Sequence, residues 1–156
     1  ITATSTNNYV TLSADALPYA QVHIQGNSTA TTIGTAGTPV KAAGTFTVGI
    51  QSGFTGDTTG KIVYNGTQTR VVAVHVTATI KPASANNQDL FIQIAKNGTV
   101  EAGSKIVREV DTAQTANCST FFNVSLAQND YVELYVGNAT STDNVVVTDA
   151  ILGLVN

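Results

Sequence analysis

Two histidines (His23 and His75), one cysteine (Cys118) and ten Asp or Glu residues are all that this chain offers for covalent or metal chemistry. A catalytic centre needs a nucleophile with a base, a pair of carboxylates, or metal ligands at a workable spacing. Both histidines lie in β-branched, apolar runs with no Asp or Glu within several residues. The carboxylates are scattered, and no Asp-x-Asp-x-Asp loop of the calcium-binding kind occurs. Asp57, Asp130, Asp143 and Asp149 fall near loops and could jointly hold a cation, but turn-capping is the ordinary role of such residues. A lone Cys118 excludes an internal disulfide and a Cys-based zinc site, so packing alone must hold the fold. The expectation is a protein that is not an enzyme, with no catalytic residue, metal or cofactor.

The elements that carry these residues read as strands. Thr and Val supply 25 and 19 of the 156 positions, both β-branched and stiff at the first side-chain torsion. From Tyr19 onward, β-rich runs recur between turn signals: Tyr19–Gln25, Val40–Ala43, Thr45–Ile50, Lys61–Tyr64, Arg70–Ile80, Leu90–Lys96, Thr99–Ala102, Lys105–Val110, Cys118–Leu126, Tyr131–Val136 and Asn144–Val155. Asn65-Gly66 and Asn97-Gly98 are dipeptides suited to a type I′ hairpin, because both central residues need positive φ. The breaks Gln51–Gly60, Pro82–Gln88, Asp111–Ala116 and Gly137–Asp143 read as loops that cross between the sheets of a sandwich. Residues 1–18 are polar, Thr- and Asn-rich and interrupted by Pro18. They read as an arm or linker with at most one short strand, at Tyr9–Leu12, leaving 19–156 as a single domain.

Alternation assigns faces. Leu90, Ile92 and Ile94 point one way along their strand, and Val132, Leu134 and Val136 do so along theirs. Phe91, Tyr131 and Tyr135 then fall on the opposite, polar-facing side, as a candidate surface cluster for stacking on sugar rings or docking a partner. Cross-strand aromatic pairing without a ligand is an equally ordinary outcome. The run Val71–Ala78 is nearly apolar on both faces, so one face should meet the core and the other a second buried surface. In a domain without helices, a partner subunit is the natural cover. His75 faces away from Val72, Val74 and Val76. It can be an axial histidine at such an interface or simply a satisfied structural side chain.

Charge excludes several function classes. Only 11% of residues are charged and the net charge is −3, while the seven Lys and Arg are spread along the chain. Such a surface has no electrostatic footprint for nucleic acid or acidic lipid. No apolar run approaches a membrane span, so membrane insertion is not expected. The start at Ile1 without Met predicts a stalk or anchor before it. Asn-x-Ser/Thr occurs at Asn27, Asn65, Asn97, Asn117, Asn123 and Asn138, as chance allows in a chain this rich in Asn and Thr.

The segment Leu126-Ala-Gln-Asn-Asp130-Tyr-Val132-Glu-Leu134-Tyr-Val136 resembles the Leu-x-x-Gly-Asp-x-Val-x-Leu-x-Val strand of complement globular-head and tumour-necrosis-factor-like (TNF-like) jelly rolls, with Asn129 in place of Gly. Ala150-Ile-Leu-Gly153-Leu-Val is similar to that family's last strand. Gly37-Thr-Pro-Val40-Lys, Gly60–Thr67 and Asn87–Thr99 look like phrases of bacteriophage fibre, spike and capsid decoration proteins with this fold. The resemblance runs from about Tyr19 to the end and implies a two-sheet antiparallel jelly roll that trimerises through its inner sheet. It implies that the strands 70–80, 118–126, 19–25 and 144–155 share that sheet. Ala73, His75, Thr77, Phe121, Asn123 and His23 are then the candidate trimer-interface residues. The function it implies is a virion-surface structural protein attaching to a host glycan or protein, with the arm contacting other virion proteins. A purely architectural capsid cement and a secreted lectin-like domain are the alternatives.

Overall fold

In the computed structural model the backbone of residues 2–6 and 9–13 and the whole of residues 17–156 are described. Two short strands, β1 (Thr2–Thr6) and β2 (Tyr9–Ser13), pair antiparallel. The second matches the strand expected at Tyr9–Leu12, whereas the first was not foreseen. Its Thr-Ala-Thr-Ser-Thr sequence has β-branched alternation but no apolar face to announce it.

The rest is a two-sheet antiparallel sandwich. The inner sheet runs, in order, β13 (Ala116–Leu126), β9 (Arg70–Pro82), β15 (Val145–Val155), β3 (Tyr19–Ile24) and β6 (Thr47–Ser52), with the short β4 (Ala30–Thr31) beside β15. The outer sheet runs β11 (Thr99–Val100), β10 (Gln88–Lys96), β14 (Tyr131–Asn138), β8 (Ile62–Tyr64) and β7 (Phe54–Gly56). In this sheet β12 (Ile106–Val110) pairs with β10 and β5 (Val40–Lys41) with β14. Each of the eleven β-rich runs from Tyr19 onward contains a strand, so the thirteen strands β3–β15 exceed the eight to ten expected. The four inner-sheet strands named by the resemblance are neighbours. The two- and three-residue β4 and β7 were missed; β7 lies inside the stretch read as the Gln51–Gly60 loop.

One core fills the space between the sheets. Val72, Val74, Val76 and Ile80 of β9 meet Leu90, Ile92 and Ile94 of β10, with Val132, Leu134 and Val136 of β14 and Leu152 and Leu154 of β15. These are the alternate residues that period-two patterning selects. Cys118 lies buried among them, and burial pushes its thiol upward, with Arg108 acting weakly the other way. Each of the four loops expected to cross between sheets does so, apart from the strand β7 within the first. Among the described residues no helix is long and apolar enough to cross a membrane.

The two Asn-Gly dipeptides behave differently. Asn97 (φ 51°) and Gly98 (φ 77°) form the expected tight turn, with Lys96 paired to Thr99. Asn65 has no positive φ and makes no hairpin, because β8 and β9 belong to different sheets. Its amide donates instead to the Gly53 carbonyl (3.0 Å) and its side chain to Thr55 (2.8 Å), closing the chain back on β7. Asn129, at the position the resemblance gives to Gly, has φ 69°, a left-handed conformation that Asn tolerates better than most residues.

Asp130 follows Asn129 and locks this corner. Its oxygens accept from Asn97 Nδ2 (2.7 Å), the Ala127 amide (2.9 Å) and Lys96 Nζ (2.9 Å). The Lys96 ammonium, then Asn97 and the Ala127 amide, hold the carboxyl at a pKa of about 2. Because the folded pKa lies below the unfolded value, this stabilisation is complete above about pH 4 and fades as pH falls towards 2. Asp130→Ala should therefore cost about 1 kcal/mol at pH 7 in urea unfolding, and the deficit should shrink towards pH 2. A deficit independent of pH would show that the charge is not what matters.

Candidate functional site

The inner sheet has a second face that the described residues leave uncovered. Along β9 the residues between the core valines, Val71, Ala73, His75, Thr77 and Thr79, point outward. Register then builds rows across the sheet: Asn123, Ala73, Val155 and Tyr19; Phe121, His75, Gly153 and Gln21; Ser119, Thr77, Ile151 and His23. Six of the eight large apolar side chains exposed among the described residues belong to this face: Tyr19, Ile50, Val71, Phe121, Ile151 and Val155. Phe121 is 63% exposed and Ile50 74%. No Lys or Arg stands in these rows, and water is a poor neighbour for so much contiguous apolar surface.

All six candidate interface residues, Ala73, His75, Thr77, Phe121, Asn123 and His23, lie on this one face. His75 is exposed, with Nε2 3.4 Å from Thr77 Oγ1. His23 Nδ1 is enclosed without a hydrogen-bond partner among the described residues. Among the described residues neither ring is bonded to a carboxylate. Two shallow depressions mark the face. One of about 290 Å³ is lined by Tyr19, Ile50, His75, Phe121, Gly153 and Val155, and one of about 350 Å³ by His23, Gln25, Thr77, Thr79, Asp149 and Ile151. Tyr19, Ile50, Val71, Ile151, Gly153 and Val155 were not picked from the sequence. Ile151 and Val155 alternate with the core residues Leu152 and Leu154, so β15 carries the same doubly apolar signal as β9.

At the far end of the sandwich from Tyr19, three loops are tied together. Asp143 accepts from the amides of Ser84 and Ala85 (both 3.1 Å), Asn87 N–H donates to Asp111 (2.8 Å), and Thr112 N–H donates to Asn86 (3.1 Å). Buried Asn138 pins the third loop through Gln88 (2.9 Å) and the Asp143 carbonyl (3.1 Å). The result is a rigid tip made from loops 82–88, 111–116 and 137–143. It is separated from the Tyr19 end by the length of β15, roughly 35 Å.

No family model matches this sequence, and no curated protein matches it. Among solved structures, murine APRIL at pH 5.0 superposes with a TM-score of 0.58 at 10% identity, covering 90% of this chain and 99% of that one. The PRD1 vertex protein P5, a phage protein, gives 0.56 at 10% identity, covering 99% of this chain and 79% of that one. The fold is a TNF-like jelly roll. At such identities the likeness is one of architecture.

The outer sheet of this jelly roll corrects one expectation. Phe91 is fully buried, not part of a surface cluster. Its register partner on β14 is Gly137, and the ring lies over that glycine, where a Cβ would run into it. Lys105 Nζ caps the ring 3.9 Å from its centroid. Tyr131 and Tyr135 remain half-buried on the outer face, with Lys61 Nζ 4.7 Å from the Tyr131 ring centre and the buried Glu133 bound to Lys41 at 2.6 Å. Burial, then the neighbouring Glu133 and Tyr131, pushes the Tyr135 phenol upward. The aromatic pair that does form is Phe54 with Tyr64, at the other end of the sheet.

Asp57, Asp130 and Asp143 cap turns, and Asp149, which lies within β15, holds the amide of the Gly26 turn. Asp57 holds the amides of Thr59 (2.8 Å) and Lys61 (3.1 Å), and Asp149 that of Gly26 (3.1 Å), while Asp130 and Asp143 are spent as described. In Asp57 and Asp143 burial raises the carboxyl, but hydrogen bonds from Thr59 and Lys61, and from Ser84 and its neighbours, outweigh it and leave both lowered. Among the described residues no group of three potential ligands could hold a metal. Gly137→Ala should displace the Phe91 ring and cost about 1–3 kcal/mol in denaturant unfolding. An unchanged midpoint would mean that the ring does not depend on that glycine.

Proposed function

We propose that this chain is a non-enzymatic structural protein of a virion surface. It works as a homotrimer that attaches the particle to a host-surface glycan or protein. The observation that carries the reading is the open face of the inner sheet, where most of the large apolar side chains exposed among the described residues are gathered and whose three central rows hold no charged residue. A second and third copy of the same chain fit it, because central rows without charge set no like charges against each other between copies. The trimer implied by the family resemblance, and the likeness to a phage vertex protein, support the same reading.

The polarity of the molecule supports attachment. The arm, residues 1–18, enters at the Tyr19 end, where it ties the domain to other virion proteins. The tied loops 82–88 and 137–143 form the opposite tip and meet the host. Three weak sites on one rigid knob then raise avidity well above that of a single contact. The Gln51–Gly60 loop contains β7 and starts at the Tyr19 end, where Ser52 pairs with Tyr19. Tyr131 and Tyr135 are a lateral contact surface on the same reading, now without Phe91.

Two experiments test this. Ala73→Asp or His75→Asp should dissociate the assembly in size-exclusion chromatography, because each places unpaired charges in a dry interface at a cost of several kcal/mol. An unaffected assembly would place the interface elsewhere. The wild-type domain should bind host cells or their isolated surface glycans. Binding to capsid shells alone would replace attachment with an architectural, cementing role.

A further inference from the structure

We propose that Gly153 floors a socket on the inner-sheet face that receives Phe121 of a second copy of this chain. The inference rests on the self-assembly reading above and names the contact that sets its geometry. Gly153 sits inside β15, an eleven-residue strand, where glycine is unfavourable by its entropy and its lack of a packing side chain. Nothing in its own chain demands it. Its φ is not positive, and a Cβ would meet only His75 Nδ1 at 3.8 Å and the Ala20 carbonyl oxygen at 3.9 Å, ordinary contact distances. The other glycine set in a long strand, Gly137, is needed because Phe91 fills its place from within the chain.

The space above Gly153 is the depression of about 290 Å³ walled by Tyr19, Ile50, His75, Phe121 and Val155. It is apolar, uncharged and open. Phe121 is the largest of the exposed apolar residues on β13, the edge strand of the inner sheet, and stands 63% in water. A ring that the described residues leave exposed and a depression that they leave open lie in one row, two strands apart. In a closed cyclic assembly each copy gives one Phe121 and receives one. The contact is therefore used by every subunit and leaves none unfilled.

The test is a volume-swap cycle read as the dissociation constant of the assembly by sedimentation. Gly153→Leu fills the socket, and Phe121→Ala removes the ring. Each alone should weaken association at least tenfold. The double variant, in which the new leucine occupies the space the ring vacates, should recover most of the loss. Because the chain has no Trp, Phe121→Trp adds a single reporter whose emission should shift to the blue on assembly, which guards against a Gly153→Leu chain that does not fold. Three results would overturn the socket and leave the self-assembly reading intact: assembly unchanged by Gly153→Leu, a double variant no tighter than the singles, or water-exposed emission from the introduced indole in the assembled Phe121→Trp protein. A wild-type chain that does not self-associate would overturn both.

Discussion

A strand has two faces, and in the inner sheet only one of them has somewhere to go. The core takes Val72, Val74, Val76, Leu152 and Leu154, and among the described residues no helix or third layer lies over their alternates. Charge on the outward side would have kept such a sheet in water as a single chain, as antiparallel sheets commonly do. Instead the rows hold Tyr19, Val71, Phe121, Ile151 and Val155 with amides, hydroxyls and two histidines. The rest of the molecule follows from that imbalance. The core needs the outer sheet on one side, and the open face needs a cover on the other.

Much of the fold was legible because turn chemistry and alternation are local. The long strands β9, β10, β13, β14 and β15 were found within a few residues of their ends. What failed depended on pairing. Asn65-Gly66 has hairpin chemistry, yet its flanking strands lie in different sheets, so the dipeptide had no ladder to close. Phe91 was placed outside by alternation, and alternation was right about its side of the strand. Its burial comes from Gly137 across the ladder and Lys105 above, a register effect that one strand read alone does not contain. The doubly apolar pattern was recognised in Val71–Ala78 and passed over in Ala150–Val155, where the interposed Gly153 disguised it.

The site was legible in part for the same reason. The six candidate interface residues share a face because the family's strand order brought their strands together, and pairing confirmed the order residue by residue. The turn-capping role read for Asp57, Asp130, Asp143 and Asp149 is seen in their bonds to backbone amides, whereas the fold brings Asp149 into the depression that His23 lines, a proximity their spacing in the sequence hides. What sequence could not provide was the division of the molecule into a root at Tyr19 and a hydrogen-bonded tip, because that depends on Asn86, Asn138 and Asp143 meeting partners far along the chain.

The central claim is that the open face is covered by copies of the same chain. Sedimentation equilibrium of the wild-type protein at micromolar concentration measures this directly. A mass three times that of one chain is the predicted result. A stable monomer with Phe121, Ile50 and Val155 still in water would contradict the account.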